Sequence, residues 1–215
     1  MKKIRLINIF VTAILVCGFL HACKWGWDVK IDQESKDYCL FGQGSYWIYR
    51  DSATLTIDSI VINRSVDYVH CSAGGGDNNM HCETYETVIS LYSQDSIYDF
   101  PIELTTRYAD PELLKPCLLE KGRRGDIFYQ NGEIGEVLYG SLSYAKNMIL
   151  LEKKNNYSIN GVTYSNVKIF EWNYFEERKV YYWAKHVGLI RMEIYEKDNV
   201  IVKNLVKYNV KPYKH

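Results

Sequence analysis

Residues Gly188-Leu-Ile-Arg-Met-Glu-Ile-Tyr195, near the end of the chain, alternate between apolar and polar side chains. Ile190, Met192 and Ile194 occupy every second position, so they share one side of an extended backbone. The polar residues between them share the other side. Such alternation is typical of an antiparallel strand with one dry and one wet face, and we predict a single strand over Val180–Tyr195.

Strand-like segments of this kind recur along most of the chain and are separated by residues that favour turns. Asp51–Thr54 is predicted to join two strands, and a glycine-rich segment at 72–80 is predicted to join the next two. Asn131-Gly132 and Asn160-Gly161 are the strongest short hairpin signals. Nineteen tyrosines and only four prolines agree with a strand-rich chain. The pattern predicts about nine to eleven antiparallel strands.

The predicted fold class is therefore all-β with a minor α content. We expect a meandering antiparallel sheet curled into an incomplete barrel, with a β-sandwich as the alternative. The best helix candidate is Asp110–Glu120, where Asp110 could cap the first turn and Pro111 could occupy the first helical position. Pro116 would limit this helix to one or two turns.

The first residues have the pattern of an export signal. A basic start at Met1–Arg5 is followed by an apolar stretch at Leu6–Leu20 and then by His21-Ala22-Cys23. The stretch is too short for a bilayer-spanning helix, which needs roughly 20 apolar residues. The small Ala22 before Cys23 makes the segment resemble a bacterial lipoprotein signal.

This resemblance implies that Cys23 becomes the lipidated first residue of the mature protein, carrying a diacylglyceryl group and a further acyl chain such as palmitate. More than one chain gives stable membrane anchoring. Cys17 is a rival site, but the bulky Val16 precedes it. An ordinary cleaved signal, giving a soluble exported protein, is the alternative. We expect a signal peptide at 1–22, a lipidated tether at 23–37 and a single β-rich domain at 38–215.

Four cysteines remain for the folded part of the mature protein: Cys39, Cys71, Cys82 and Cys117. An even number in an exported protein suggests disulfides, although four cysteines allow three connectivities. We favour a Cys71–Cys82 bond that closes a hairpin loop and, by elimination, a Cys39–Cys117 bond.

A zinc site is the competing interpretation of two of these cysteines. His70 precedes Cys71 and His81 precedes Cys82, so two His-Cys pairs flank the glycine-rich segment. Neighbours in a strand point to opposite faces, however, and an oxidising compartment favours the disulfide. We therefore expect no metal.

Three segments carry a second resemblance: Gly42–Asp51, Gly161–Val167 and Tyr181–Arg191. In these the chain resembles uncharacterised outer-membrane lipoproteins of Bacteroidota, which look like relatives of lipoprotein-carrier folds. The resemblance implies an open half-barrel at the outer membrane, on either its periplasmic or its surface face, and says little about activity.

The same resemblance implies a possible modification. Bacteroidota attach O-glycans at Asp-Ser or Asp-Thr followed by a small or apolar residue. Ser52, Ser59 and Ser96 all follow this pattern, with Ser52 in a predicted turn the best candidate and Ser59 in mid-strand the worst. The alternative is that Asp-Ser is simply common in turns.

The sequence contains none of the common catalytic, phosphate-binding or cofactor-binding motifs. The mature chain has 23 basic against 26 acidic residues once Lys2, Lys3 and Arg5 are removed with the signal, a net charge of −3. This mild acidity argues against nucleic acid as a partner. We expect no cofactor.

The leading functional prediction is a lipid-anchored module of the cell envelope that binds or has a structural role without catalysis. Its partner would be an envelope protein, a glycan or an apolar ligand. A carrier of a lipid in the half-barrel and an unrecognised hydrolase are the alternatives. Trp47, Tyr49 and Trp183 could line a ligand groove, although an ordinary β core is the preferred interpretation. We expect Asp58 and Glu193 to face solvent.

Overall fold

The computed structural model describes residues 27–72, 80–93, 96–107, 115–120, 125–129, 133–135, 137–139, 147–174 and 177–214. This part of the chain forms thirteen strands and one helix, α1, at Gln33–Cys39. The strands are β1 (Trp27–Val29), β2 (Tyr46–Asp51), β3 (Ile57–Ser72), β4 (Met80–Ser93), β5 (Ser96–Arg107), β6 (Lys115–Glu120), β7 (Gly125–Tyr129), β8 (Val137–Tyr139), β9 (Asn147–Ile159), β10 (Val162–Tyr174), β11 (Glu177–Ala184), β12 (Gly188–Glu196) and β13 (Asn199–Asn209).

All thirteen strands belong to one sheet. Twelve of them follow the order β7-β6-β5-β4-β3-β2-β13-β12-β11-β10-β9-β8, with each neighbouring pair antiparallel. The short β1 lies off this path and pairs with β4 in parallel. The sheet is curled into a half-barrel. The predicted fold class is therefore confirmed, and the incomplete barrel rather than the sandwich is the form that it takes.

Helix α1 lies against this curled sheet. Asp32 caps the helix, since its carboxylate accepts hydrogen bonds from the Ser35 backbone N–H at 2.8 Å and the Ser35 hydroxyl at 2.7 Å. Ile31 and Tyr38 are buried in a core cluster that includes Tyr85 of β4 and Phe170 of β10. Five strands separate β4 from β10 in the sheet order. One short helix can contact both only because the sheet curves around it.

Polar contacts hold α1 at both of these places. Near β4, Lys36 Nζ lies 2.9 Å from Glu83 Oε1, and the other Glu83 oxygen accepts the Ile31 N–H at 2.8 Å. Near β10, the Tyr38 hydroxyl donates to the Asn166 carbonyl at 2.8 Å. The helix therefore connects two distant parts of the curled sheet.

The start of the ordered domain differs from our expectation. We predicted a tether up to residue 37 and a domain from Tyr38, yet β1 already pairs with β4 through Trp27 and Met80. The segment is ordered because Ile31 and Tyr38 bury apolar surface, which a freely moving tether would leave in water.

Two predicted turns are present as expected. Residues 52–54 turn between β2 and β3. Asn160-Gly161 forms the two-residue loop between β9 and β10, and both residues have positive φ, 51° and 82°. This is the backbone conformation for which Asn-Gly is favoured in hairpins.

The predicted single strand over Val180–Tyr195 is wrong, because a turn at Lys185–Val187 divides it into β11 and β12. His186 and Gly188 both have positive φ, 61° and 92°. A Cβ at Gly188 would lie 3.1 Å from the Phe41 ring. The glycine therefore serves both the turn and the close approach of an aromatic side chain.

The helix predicted over Asp110–Glu120 is also wrong within the described residues, since Lys115–Glu120 is β6 and pairs with β5 and β7. Residues 110–114 lie outside the described residues. The hairpin expected around Asn131-Gly132 is not formed by its flanking strands, because β7 and β8 lie at opposite ends of the sheet order. In both places strand pairing prevailed over the local signal.

Candidate functional site

The largest of the described pockets has a volume of 680 Å³ and lies where the β2–β3 turn, β13 and the β9–β10 hairpin meet. We call it the larger pocket. Its lining mixes cationic, amide, aromatic and aliphatic side chains: Arg50, Asp51, Ser52, Leu55, Asn160, Val162, Tyr164, Asn204, Leu205, Val206, Lys207 and Tyr208.

Several apolar side chains of the larger pocket are exposed. Leu55 is 64% exposed, Val162 48% and Tyr208 40%. Leu55 also has a φ of 61°, a left-handed conformation that is costly for a residue with a branched side chain. A strained and exposed leucine at the edge of a pocket is a feature more often found at functional sites than in ordinary turns.

The charge of the larger pocket is predominantly positive. Arg50 and Lys207 are exposed cations. Among the described residues of its lining, Asp51 is the one acid, and its carboxylate accepts the backbone N–H groups of Ala53 at 2.8 Å and Thr54 at 2.7 Å. The hydrogen bond from Thr54 is the main cause of a lowered pKa at Asp51. Asp51 is thus occupied with the turn, whereas the two cations remain open to a ligand.

A second pocket, the smaller pocket, has a volume of 260 Å³ and is lined by strands β9 to β12. Its lining is rich in tyrosine and charged side chains: Leu151, Glu152, Lys154, Tyr157, Ile169, Arg178, Val180, Tyr182, Glu193 and Tyr195.

Glu193 is the central carboxylate of the smaller pocket and is only 8% exposed. It accepts hydrogen bonds from the Tyr182 hydroxyl at 2.9 Å, Arg191 Nε at 2.9 Å and the Tyr195 hydroxyl at 2.7 Å. Burial raises the pKa of Glu193, but the hydrogen bonds from Tyr195, Arg191 and Tyr182 outweigh burial and lower it overall. The carboxylate is therefore held ionised and orients two tyrosine rings.

The other charges of the smaller pocket are paired nearby. Lys154 Nζ lies 3.2 Å from Glu152. Arg178 contacts Glu171 at 2.6 Å, and its guanidinium lies 4.0 Å from the centre of the Tyr195 ring. The smaller pocket is accordingly close to neutral, in contrast to the larger pocket.

A hydrogen-bonded series links the two pockets. Arg191, which holds Glu193, also donates from Nη1 to the Asn204 side-chain carbonyl at 3.0 Å. The Asn204 amide then donates to the Ser52 hydroxyl at 2.9 Å. Asn204 and Ser52 line the larger pocket, so one polar network runs from one pocket to the other.

Tyrosine rings form a second link. Tyr157 of the smaller pocket and Tyr164 of the larger pocket are directly paired across β9 and β10, which places their side chains on the same face. The Tyr157 ring centre lies 5.2 Å from that of Tyr182, and the Tyr164 ring centre lies 6.5 Å from that of Tyr208. We call the two pockets, whose walls these contacts connect, the two-pocket cleft.

The predicted groove residues do not lie in this cleft. Trp47, Tyr49 and Trp183 are each about 5–6% exposed and belong to core clusters. The Trp47 indole N–H donates to the Val187 carbonyl at 2.6 Å, and the Tyr49 hydroxyl donates to the Leu189 carbonyl at 2.8 Å. The core interpretation, which we preferred, agrees with these contacts, whereas the groove interpretation does not.

Sequence reasoning missed the residues that do form the cleft. Glu193, which we expected to face solvent, is 8% exposed and lines the smaller pocket. The same expectation was wrong for Asp58, which lies outside both linings, is 8% exposed and is bound by Lys203. The Asn160-Gly161 turn was predicted, but its position beside β13 was not. His186 is mostly exposed, with its Nδ1 3.9 Å from Asp37.

The predicted disulfides stay predictions. The register sets Cys71 opposite His81 and Cys82 opposite His70, so Cys71 and Cys82 are offset by one position. Cys39 is half-buried at the end of α1, which approaches the strand that carries Cys117. The side chains of Cys71, Cys82 and Cys117 lie outside the described residues. In the described part of the chain, no group of three or more His, Cys, Asp or Glu could hold a metal ion.

Among the predicted modification sites, Ser52 is exposed in the β2–β3 turn, as the sequence suggested. Ser59 is half-buried in β3, and the side chain of Ser96 lies outside the described residues. Cys23 also lies outside the described residues, so its lipidation and the O-glycans stay predictions.

Comparison with known proteins adds little to this description. No family profile matches the chain, and no curated protein matches it. A candidate lipoprotein from Parabacteroides distasonis ATCC 8503 is similar to it in structure, with 13% identity, 79% of this chain and 97% of that chain covered, and a TM-score of 0.29. That TM-score is too low for the likeness to bear on fold or function. Separately, none of the helices in the described residues has the length and apolarity to cross a membrane.

Proposed function

We propose that this chain is a lipoprotein of the bacterial cell envelope, anchored in the outer membrane through Cys23, whose β-domain binds a partner without transforming it. The observation that carries the proposal is the chemistry of the two-pocket cleft. Its buried carboxylate, Glu193, is held ionised by three hydrogen-bond donors, so it serves as a fixed acceptor and not as a proton donor. A site built from fixed hydrogen-bonding groups and aromatic rings favours binding.

The two alternatives have less support. A carrier would shelter an apolar ligand inside the curl, but α1 and the cluster around Ile31, Tyr38, Tyr85 and Phe170 occupy that space in the described residues. A hydrolase of the carboxylate type needs a proton-donating acid beside an ionised carboxylate, but Glu193 is held ionised and the other acid that lines the smaller pocket, Glu152, is paired with Lys154. Both considerations favour a binding module.

Membrane fractionation tests the anchor. The wild-type protein and a Cys17→Ser variant, which changes the rival cysteine, are expected in the outer-membrane fraction and to incorporate labelled palmitate. Cys23→Ser is expected to lose the label and to appear in the soluble exported fraction, because a single cysteine carries all the acyl chains. A Cys23→Ser protein that stays with the membrane would contradict the proposal.

A further inference from the structure

The composition of the two-pocket cleft matches the chemistry of sugars. A pyranose ring has an apolar face of C–H groups that packs on aromatic rings, and hydroxyls that both donate and accept hydrogen bonds. Tyr157 and Tyr195 are half-buried rings in the smaller pocket, and Tyr208 is an exposed ring in the larger one. In the larger pocket the exposed side chain of Asn160 supplies an amide donor and acceptor, and Ser52 supplies an exposed hydroxyl.

The charges of the cleft select among sugars. In the smaller pocket, Lys154 is paired with Glu152 and Arg178 with Glu171, which leaves a nearly neutral surface. In the larger pocket, Arg50 and Lys207 are exposed, and the carboxylate of Asp51 is turned to the backbone of its own turn. A carboxylate on the ligand would find its complement in the larger pocket.

We propose that the two-pocket cleft binds a short acidic oligosaccharide, with the acidic sugar in the larger pocket and a neutral sugar ring in the smaller pocket. This assignment rests on the proposed binding function and names its ligand class. The network from Glu193 through Arg191 and Asn204 to Ser52 connects the walls of the two pockets, and a preorganised site of this kind lowers the ordering cost of binding two linked rings.

An acyl chain fits the same cleft less well. Leu55 and Val162 offer apolar contact, but Asn160, Asn204 and Ser52 lie among them in the lining. An acyl chain over these polar groups would remove their water without replacing its hydrogen bonds. Sugar hydroxyls would replace those bonds.

Calorimetric titration of the full-length lipidated protein in detergent tests this assignment. The probes are sialyllactose and two disaccharides in which glucuronic acid is linked to galactose or to xylose, so each joins an acidic sugar to a neutral ring. Each probe is paired with its methyl ester, which keeps the rings and removes the charge. At least one acid is expected to bind, with an affinity about tenfold or more above that of its own ester, since a hydrogen bond between charged groups contributes that much to binding. The bound sugar should be recovered unchanged.

Three variants locate the site. Arg50→Gln combined with Lys207→Gln is expected to remove the preference for the acid over its ester. Tyr208→Leu is expected to weaken the binding of the acid and of its ester by the same factor, because the substitution removes an aromatic ring face and no charge. Lys197→Gln, an exposed lysine in the β12–β13 turn, is the matched control and should bind as the wild type does.

Either of two results would overturn the assignment. One is that none of the three acids binds, and the other is that palmitate binds while the sugars do not. Equal binding of acid and ester would also contradict the charged larger pocket. Any of these results leaves the membrane anchor untouched, because that part of the proposed function depends on fractionation of Cys23→Ser. Recovery of a cleaved sugar would instead contradict the proposed absence of catalysis.

Discussion

Two carboxylates, those of Glu193 and Asp58, show what the alternation of apolar and polar residues in a sequence can and cannot predict. The pattern around Ile190 correctly indicated an extended backbone and predicted that the side with Ile190, Met192 and Ile194 would be dry. Met192 and Ile194 are only half-buried, however, and Glu193 on the other side is buried. Glu193 and Asp58 are both buried. Glu193 is bonded to Tyr182 of β11 and to Arg191 and Tyr195 of its own strand, and Asp58 is bonded to Lys203 of β13, on the far side of β2. The alternation of apolar and polar residues predicts which residues share a side of a strand, whereas the exposure of that side depends on which residues the curled sheet places over it.

Glu193→Gln measures how much the Glu193 carboxylate contributes to the free energy of unfolding. The amide keeps the shape of the side chain but loses the charge that Arg191, Tyr182 and Tyr195 bind. We expect the free energy of unfolding to fall by about 1–3 kcal/mol, measured by urea denaturation at pH 7. Glu196→Gln, an exposed glutamate of the same strand, is the control and should change it by less than about 0.5 kcal/mol.

The same variant has a defined pH dependence. Because the folded pKa of Glu193 lies below its usual value of 4.5, its stabilisation is complete above that value and is lost as the pH falls through the folded pKa. The difference between wild type and Glu193→Gln should therefore shrink at acid pH. A difference that stayed constant down to pH 2 would show that the carboxylate charge is not its cause.

At the scale of elements, the turns at 52–54 and Asn160-Gly161 could be predicted, whereas helix α1 and the turn at Lys185–Val187 could not. Asn160-Gly161 is a turn signal because both residues tolerate positive φ, and this property does not depend on distant contacts. Helix α1 has only seven residues, and helices of that length are marginal without tertiary packing. Its formation depends on Tyr85 and Phe170, which are far away in sequence. Asp32 as a cap was the one local signal available.

The cleft was beyond sequence reasoning for the same reason. Its tyrosines come from five strands, and Tyr164 reaches Tyr208 only because β10 and β13 approach each other in the curl. The excess of tyrosine indicated strands but gave no positions for a site.

The β2–β3 turn contains a residue that its backbone does not favour. Leu55 has a φ of 61° and is 64% exposed, so its side chain gains little from burial. Asn tolerates the left-handed conformation better, and Leu55→Asn should raise the free energy of unfolding by about 0.5–1 kcal/mol in thermal denaturation.

Ile57→Asn is the matched control for that gain. Ile57 is 46% exposed in β3, and asparagine is disfavoured in strands, so stability should fall slightly. If Leu55→Asn were no more stable than wild type, relief of strain would not be the dominant effect. If Leu55 is kept for ligand contact, the stabilised variant should also bind the acidic oligosaccharide more weakly.

At the scale of the molecule, the position of β1 limits how far the domain can stand from the membrane. Cys23 and Trp27 are four positions apart in the sequence, and Trp27 already pairs with β4. A fully extended chain of that length spans at most about 14 Å. A protein anchored at Cys23 would therefore hold its domain close to the lipid headgroups. The longer tether that the sequence suggested would have allowed a greater distance.

Neutron reflectometry of the lipidated protein on a supported bilayer measures this height. We expect protein density to begin next to the headgroups in the wild type. Twenty Gly and Ser residues inserted after Lys24 should open a hydrated gap of up to roughly 25 Å, the mean span of such a linker. The same insertion between Asp198 and Asn199 lies in the β12–β13 turn and should leave the height unchanged. A hydrated gap already present in the wild type would mean that β1 separates from β4 at the membrane, because the four residues before it cannot span that distance.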